Sequence, residues 1–425
     1  MAVTELVLDL IKNPPKLTQK KLIRYGIPLG SFVLYYIIWP KFKSVLRDWL
    51  IDEEEGDNLE PEVALEAANW VEGYGGMIGN TPLVRLKSLS DATGCEILAK
   101  AEHLNPGGTG KDRIALQMIE ECEKRGLLRE GGTVVEGTSG STGISLALVC
   151  RARGYRCVIV MPDDTSQTKV DLLRMFGAEV KVVKAASIAN PKHFCKVAEE
   201  LAKKIDGAVF MDQFNTGFNY RAHYLGTGPE IWRQTRGQVN AFVMGAGTGG
   251  TIAGVSKFLK KKNPKVKVFL VDPPGSSLFH RVKHGVCYTP EQSEQRVRKH
   301  RYDSIVEGVG LDRLTQNFLK AAIDDAYKIP DQTTVQMAHY LLRKEGLFVG
   351  ASSALNCVGA VLAAQSLGPG HTVVTVLCDS GQRHLGRFWD RATLARRGLR
   401  WPGEKDLHSI DFLFEVPGAA AGAGA

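Results

Sequence analysis

Four turns rich in glycine and hydroxyl residues constrain this chain more than any other feature, because each joins an apolar, strand-like run to a helical one. The first, Asn105-Pro106-Gly107-Gly108-Thr109-Gly110-Lys111-Asp112-Arg113, follows a strand expected over residues 97–102. It opens a segment, 112–125, in which Ile114, Met118, Ile119 and Cys122 recur at helical spacing. The second, Glu136-Gly137-Thr138-Ser139-Gly140-Ser141-Thr142-Gly143, separates a strand at 133–135 from a helix beginning near Ile144. The third, Gly245-Ala246-Gly247-Thr248-Gly249-Gly250-Thr251, lies between the run 241–244 and a helix over 252–259. The fourth, Gly350-Ala351-Ser352-Ser353, follows a short strand at 347–349. Further continuous apolar runs at 157–161, 180–183, 208–211, 266–271 and 373–378 alternate with helical stretches, the pattern of buried parallel sheets wrapped by helices.

Each turn carries its own chemistry. Lys111 stands at a helix N-terminus, where the positive end of the helix and partial desolvation lower an amine's pKa and make it a nucleophile able to form a Schiff base. A lysine in such a loop can also be a solvated charge or a phosphate contact. The third turn brings backbone N–H groups to a helix start, a cradle for phosphate. It also fits the dinucleotide pattern G-x-G-x-x-G, with Asp272 at the distance of a ribose-binding carboxylate, so a nicotinamide enzyme is a rival on this turn alone. The second turn suits a carboxylate or a phenolic oxygen, and N-capping by Ser141 or Thr142 is its plainer reading. A candidate Schiff-base lysine, a hydroxyl-rich turn and a late serine pair are features that hydride transfer does not require.

Residues Ile78-Gly79-Asn80-Thr81-Pro82-Leu83-Val84-Arg85-Leu86, the lysine turn, Thr138 to Gly143, Gln213-Phe214, Thr227-Gly228-Pro229-Glu230-Ile231-Trp232 and Gly247 to Thr251 occur in an ordered series. Together, over residues 70–390, they resemble the cysteine synthase and cystathionine β-synthase family of pyridoxal-phosphate enzymes. The resemblance implies an α/β fold of the tryptophan synthase β-like type II, with two open twisted parallel-sheet domains and the cofactor in the cleft between them. It implies that Lys111 holds pyridoxal 5'-phosphate as an internal aldimine and that Gly247, Thr248, Gly249, Gly250 and Thr251 bind the phosphate. Ser352 would meet the pyridine nitrogen, and Ser141 would bind the cofactor at the position where the family's asparagine touches the phenolic oxygen. Thr138, Ser139 and Thr142, with Gln213, would take the substrate carboxylate. The implied reaction is β-replacement of O-acetyl-L-serine by sulfide, through an aminoacrylate, to L-cysteine and acetate, in a homodimer. Condensation of serine with homocysteine and a weakly active or non-catalytic relative are the alternatives. Serine rather than aspartate at the ring nitrogen favours elimination over transamination. Two positions depart from the family pattern: Ser141 stands where asparagine is usual, and Ala354 where glycine is usual.

The chain has 425 residues, 44% hydrophobic and 24% charged, enough for two globular domains. The boundaries expected are 71–220 for an N-terminal α/β domain, 221–415 for a C-terminal one and 416–425 for a disordered Gly/Ala tail. Eight scattered cysteines show no C-x-x-C pair, zinc spacing or disulfide framework, so no metal is expected and a reducing compartment is. Much of the net charge of +8 is local, in Lys260 to Lys262 and in Arg296, Arg298, Lys299 and Arg301 of a polar segment, 276–303; no aromatic residue alternates with these last charges, which argues against nucleic acid. Residues 1–70 read as a membrane anchor followed by an acidic linker, 52–62. No charge occurs between Arg24 and Lys41, and the span 25–40, about 24 Å as a helix, is short for a roughly 30 Å hydrocarbon core. Flanking basic residues can snorkel to close that gap. The pattern resembles the signal anchors of the mitochondrial outer membrane that fungal cysteine-synthase-like proteins carry. A single pass with the catalytic body in the cytosol is the resulting expectation.

Overall fold

Glu96–Lys100 lies beside Thr372–Val376 in parallel, Leu98 opposite Val374, so the sheet is closed by strands from opposite ends of the catalytic body. The computed structural model describes residues 70–289 and 304–415. The apolar span 25–40, the acidic linker, most of the basic segment's second half and the tail 416–425 lie outside the described residues. Among the described residues no helix is long and apolar enough to cross a membrane.

Ten strands form two sheets. They are β1 (Leu83–Arg85), β2 (Glu96–Lys100), β3 (Thr133–Gly137), β4 (Arg156–Pro162), β5 (Glu179–Val183), β6 (Ala208–Phe210), β7 (Ala241–Gly245), β8 (Lys267–Asp272), β9 (Asp325–Lys328) and β10 (Thr372–Val376). The six-stranded sheet has the order β1-β2-β10-β7-β8-β9 and the four-stranded sheet the order β5-β4-β3-β6. The β1–β2 pair is antiparallel and all other pairs are parallel. The helices that matter for the site are α1 (Lys111–Lys124), α2 (Ser141–Arg153), α3 (Gln167–Met175), α4 (Phe194–Lys204), α5 (Gly228–Gln234), α6 (Gly250–Lys262), α7 (Leu278–His284), α8 (Asp331–Glu345) and α9 (Ala351–Leu367).

Both sheets are covered on both faces, as parallel sheets must be. On the larger one, Val243, Val271 and Val373 pack with α8 and α9, while Phe242, Met244, Leu270 and Val374 pack with α6 on the other side. The alternation of Phe242 and Val243 between these cores is the two-residue period of a strand. On the smaller sheet, Val134 and Ile159 face α1 and α2, and Val135, Val158 and Val160 face α4.

Two expectations need correction. Strands β1 and β2 fall within 71–220 but pair into the sheet built from the C-terminal half, so the sequence boundary at 220 does not divide the sheets. Apolar periodicity marks a strand without naming its partner, and here the partner of β2 is the last strand of the chain. Residues 347–349 form no ladder strand; only Val349 makes an isolated bridge, to Ser380.

Candidate active site

The four turns lie at the carboxyl ends of strands or against them, the position at which open α/β sheets bind ligands. Lys111 is the first residue of α1. Its turn is pinned from several sides: Gly107 N–H donates to Asp112 Oδ2 at 2.6 Å, Gly110 N–H to the Cys378 carbonyl at 3.1 Å, and Gly79 N–H to Asn105 Oδ1 at 2.9 Å. Thr109 bridges Asp379, which ties the turn to the end of β10. Burial pushes the Lys111 ammonium below the ordinary lysine range, with Cys378 and Asp379 opposing. A neutral amine at this place is therefore accessible.

Beneath the turn runs a buried charge network. Arg113 Nε donates to Glu102 Oε2 at 2.7 Å and Nη1 to Glu230 Oε1 at 2.7 Å, while Lys100 Nζ lies 2.6 Å from Glu230 Oε2. Burial would raise the Glu102 carboxyl, but Arg113 outweighs it and holds the group at about 2. Two carboxylates thus offset two cations and fix β2, α1 and α5 to one another.

The hydroxyl turn after β3 brings together some of the expected residues. Thr142 Oγ1 donates to Gln213 Oε1 at 2.6 Å, and Gln213 Nε2 donates to Glu136 Oε1 at 3.3 Å. Thr138 N–H donates to the Val160 carbonyl at 3.0 Å, and its hydroxyl accepts from Gly140 N–H at 3.2 Å. Thr138, Thr142 and Gln213 are buried, Ser139 is exposed and Ser141 is half-buried. Ser141 Oγ accepts from Arg383 Nη1 at 3.1 Å, and Arg383 Nη2 also donates to the Gly107 carbonyl. Arg383 was not among the residues expected from sequence. It sits in a 3₁₀ turn, Gly381–His384, that matches no motif.

The turn after β7 is shaped for an anion. No side chain caps α6, whose N-cap is Gly249 at φ 86°. A Cβ on Gly247 would strike the Gly308 carbonyl, and one on Gly250 the Asn219 side-chain amide. Only glycine brings these backbone N–H groups to the surface of the turn. Asn219 Nδ2 donates to Thr248 Oγ1 at 2.9 Å, and Thr315 Oγ1 donates to the Thr248 carbonyl at 2.6 Å. Behind the turn, His223 Nε2 lies 3.1 Å from Thr251 Oγ1 and its Nδ1 lies 2.9 Å from Thr227 Oγ1. Burial pushes His223 down to about 3, so this imidazole is neutral.

Ser352 and Ser353 open α9 and are buried. Ser353 Oγ accepts from Cys378 N–H at 2.8 Å, which fixes the end of β10 beside Lys111. Burial pushes the Cys378 thiol up to about 12, so it stays protonated. Ala354 belongs to the core of α9 and is fully buried. Asp272 accepts from Phe279 N–H at 2.8 Å at the start of α7 and is fully buried. Burial pushes its carboxyl up to about 7, and it is not presented at the surface to a ligand.

An amine with lowered pKa and an uncapped glycine helix start match two parts of pyridoxal phosphate, its condensing carbonyl and its phosphate. The sequence profile of the family described as "Pyridoxal-phosphate dependent enzyme" matches residues 75–379. The chain belongs to this pyridoxal-phosphate-dependent enzyme family. Its resemblance to the family extends to individual members. Cysteine synthase 2 of Schizosaccharomyces pombe is 46% identical over 385 residues, 88% of this chain and 94% of that one. A Saccharomyces cerevisiae protein described as a candidate mitochondrial cysteine synthase is 48% identical over 332 residues, 76% of this chain and 84% of that one. Among solved structures, the O-acetylserine-dependent cystathionine β-synthase of Helicobacter pylori aligns with TM-score 0.66 and 31% identity, covering 75% of this chain and 99% of that one.

Proposed function

We propose that this pyridoxal-phosphate enzyme is a cysteine synthase that replaces the acetoxy group of O-acetyl-L-serine with sulfide, giving L-cysteine and acetate. The observation that carries the reading is Lys111, an amine of lowered pKa at the first residue of α1, on a turn that Arg383 ties to the hydroxyl turn of α2. Relatives named cysteine synthase at 46% and 48% identity support the choice of reaction.

The bound cofactor supplies an electron sink for negative charge at the substrate Cα. The chain supplies the rest. Lys111 Nζ would hold the cofactor and, with the substrate bound, would take the Cα proton as acetate leaves Cβ. It returns that proton after sulfide has added to Cβ. The α6 N-terminus, with Thr248 and Thr251, would bind the phosphate, and Ser352 would meet the ring nitrogen. Thr138, Ser139, Thr142 and Gln213 bind the substrate carboxylate, and the Thr142–Gln213 bond keeps two of these groups in register.

The test is direct. The purified protein is expected to show a visible cofactor band that borohydride bleaches and that Lys111→Ala lacks. O-Acetylserine with sulfide is expected to yield cysteine faster than serine with homocysteine yields cystathionine. The reverse preference would reassign the chain to the cystathionine-forming reaction, and no band under cofactor excess would end both readings.

The same proposal includes an anchor. The uncharged run 25–40 between basic flanks would hold the enzyme in the mitochondrial outer membrane as a single pass, with the catalytic body in the cytosol as a homodimer. A relative described as mitochondrial supports the organelle. Alkaline extraction and protease digestion of intact mitochondria test it; release by carbonate or protection of the catalytic body would refute the arrangement.

A further inference from the structure

Ser141 is the residue at which the chain departs from its family's asparagine, and the structure gives it a companion. Arg383 reaches from the turn after β10 to two catalytic turns at once, donating Nη1 to Ser141 Oγ at 3.1 Å and Nη2 to the Gly107 carbonyl. Its guanidinium also lies along Gly108, within 3.4 Å of where a Cβ there would stand. Anchored at both ends, it is a fixed, half-buried cation between the lysine turn and the hydroxyl turn. Its planar fork suits such a double contact, which a lysine could not reproduce.

The bond to Ser141 has a definite polarity. Arginine only donates, so Ser141 Oγ is the acceptor and its own proton is left to donate elsewhere. Among the described residues the Ser141 hydroxyl makes no other hydrogen bond. A hydroxyl that accepts from a cation is also a stronger donor, since linked hydrogen bonds polarise one another.

We propose that Arg383 and Ser141 act as a pair in place of the family's asparagine, Ser141 donating to the phenolic oxygen of the cofactor and Arg383 positioning and polarising Ser141. Arg383 is thus a positioning residue that favours the ionised form of that oxygen through charge as well as through the serine. The proposal rests on Lys111 carrying the cofactor.

The experiment compares the wild type with Ser141→Ala, Ser141→Asn, Arg383→Gln, Arg383→Lys and the double variant Ser141→Ala/Arg383→Gln. The readouts are the visible spectrum of the lysine-bound cofactor, the cofactor Kd of the apoprotein, the melting temperature, and KM against kcat. Arg383→Gln is expected to shift the visible maximum and weaken cofactor binding about tenfold, as loss of a charge-assisted hydrogen bond does. Ser141→Ala is expected to do the same, and the double variant to do no more than either alone. Ser141→Asn in the Arg383→Gln background is expected to bring the spectrum back. Should Arg383→Gln not fold, Arg383→Lys, which keeps the charge and loses the fork, is expected to give a smaller shift in the same direction. A rise in KM for the amino-acid substrate with an unmoved spectrum and Kd would overturn the pairing and assign Arg383 to the substrate carboxylate. Full additivity in the double variant would also overturn it. A wild type with no visible band would overturn the role of Lys111 and the pairing with it.

Discussion

Lys169 Nζ lies 2.9 Å from Glu307 Oε2, an ion pair that joins α3 of the four-stranded sheet to the segment packed under the six-stranded one. Glu307 also meets Arg387 Nη1 at 2.9 Å and His384 Nδ1 at 3.3 Å, and Val306 beside it is part of the larger core. Both partners are partly exposed, so the pair stabilises the fold by about 1 kcal/mol or less. Lys169→Met is expected to lower the urea midpoint slightly and to speed hydrogen exchange in residues 304–312. The difference should vanish in molar salt, and one that persists there would show that packing, not charge, was lost.

His384 gives stability a pH dependence of known sign. Burial would lower its pKa, but Asp379 Oδ2 at 2.8 Å and Glu307 outweigh that and raise it to about 9. The folded state therefore binds the proton more tightly than the unfolded chain, whose imidazole titrates near 6.5. The contribution is complete below pH 6.5, falls as pH rises and is gone above about 9; the shift corresponds to about 3 kcal/mol. Urea titrations from pH 6 to 9.5 should show this decline in the wild type and a flatter profile in His384→Asn.

Gly250→Ala places a methyl group against the Asn219 side-chain amide, which itself supports Thr248. The turn must shift, at about 1–3 kcal/mol for an overpacked site. Cofactor affinity is expected to fall about fivefold or more by spectrophotometric titration. Adding Asn219→Ala should recover part of the strain but not the support of Thr248, so the double variant is expected to fold better than it binds.

Glu230→Gln leaves Lys100 and Arg113 sharing Glu102 as their carboxylate. Breaking a buried pair by removing one partner costs about 3–5 kcal/mol. Chemical denaturation should show a loss of that order, and a change below about 1 kcal/mol would mean that water reaches the network.

The sequence made the local units legible and the long-range ones obscure. Strand, glycine turn and helix start are contiguous, so Lys111 and Gly247 to Thr251 could be placed from spacing alone, as the observed starts of α1 and α6 bear out. The pairing of β2 with β10 could not, because an apolar strand carries no mark of its neighbour. The charge network was hidden for a related reason. Lys100, Glu102, Arg113 and Glu230 look like surface residues one by one, and only their convergence makes burial affordable. At Ser141 the sequence showed a shorter side chain, while the arginine that meets it lies in a turn near the other end of the chain.

The union of β2 with β10 sets an order on synthesis. Strands β3 to β6 emerge from the ribosome together and can pair while the chain is still growing, whereas Leu98 waits for Val374. Until then Ile97 and Ala99, which end up fully buried, have no core to enter. The nascent catalytic body thus has an early, unpaired edge at β2 that a chaperone would need to cover, and truncations ending before residue 372 are expected to aggregate even when the four-stranded half has folded.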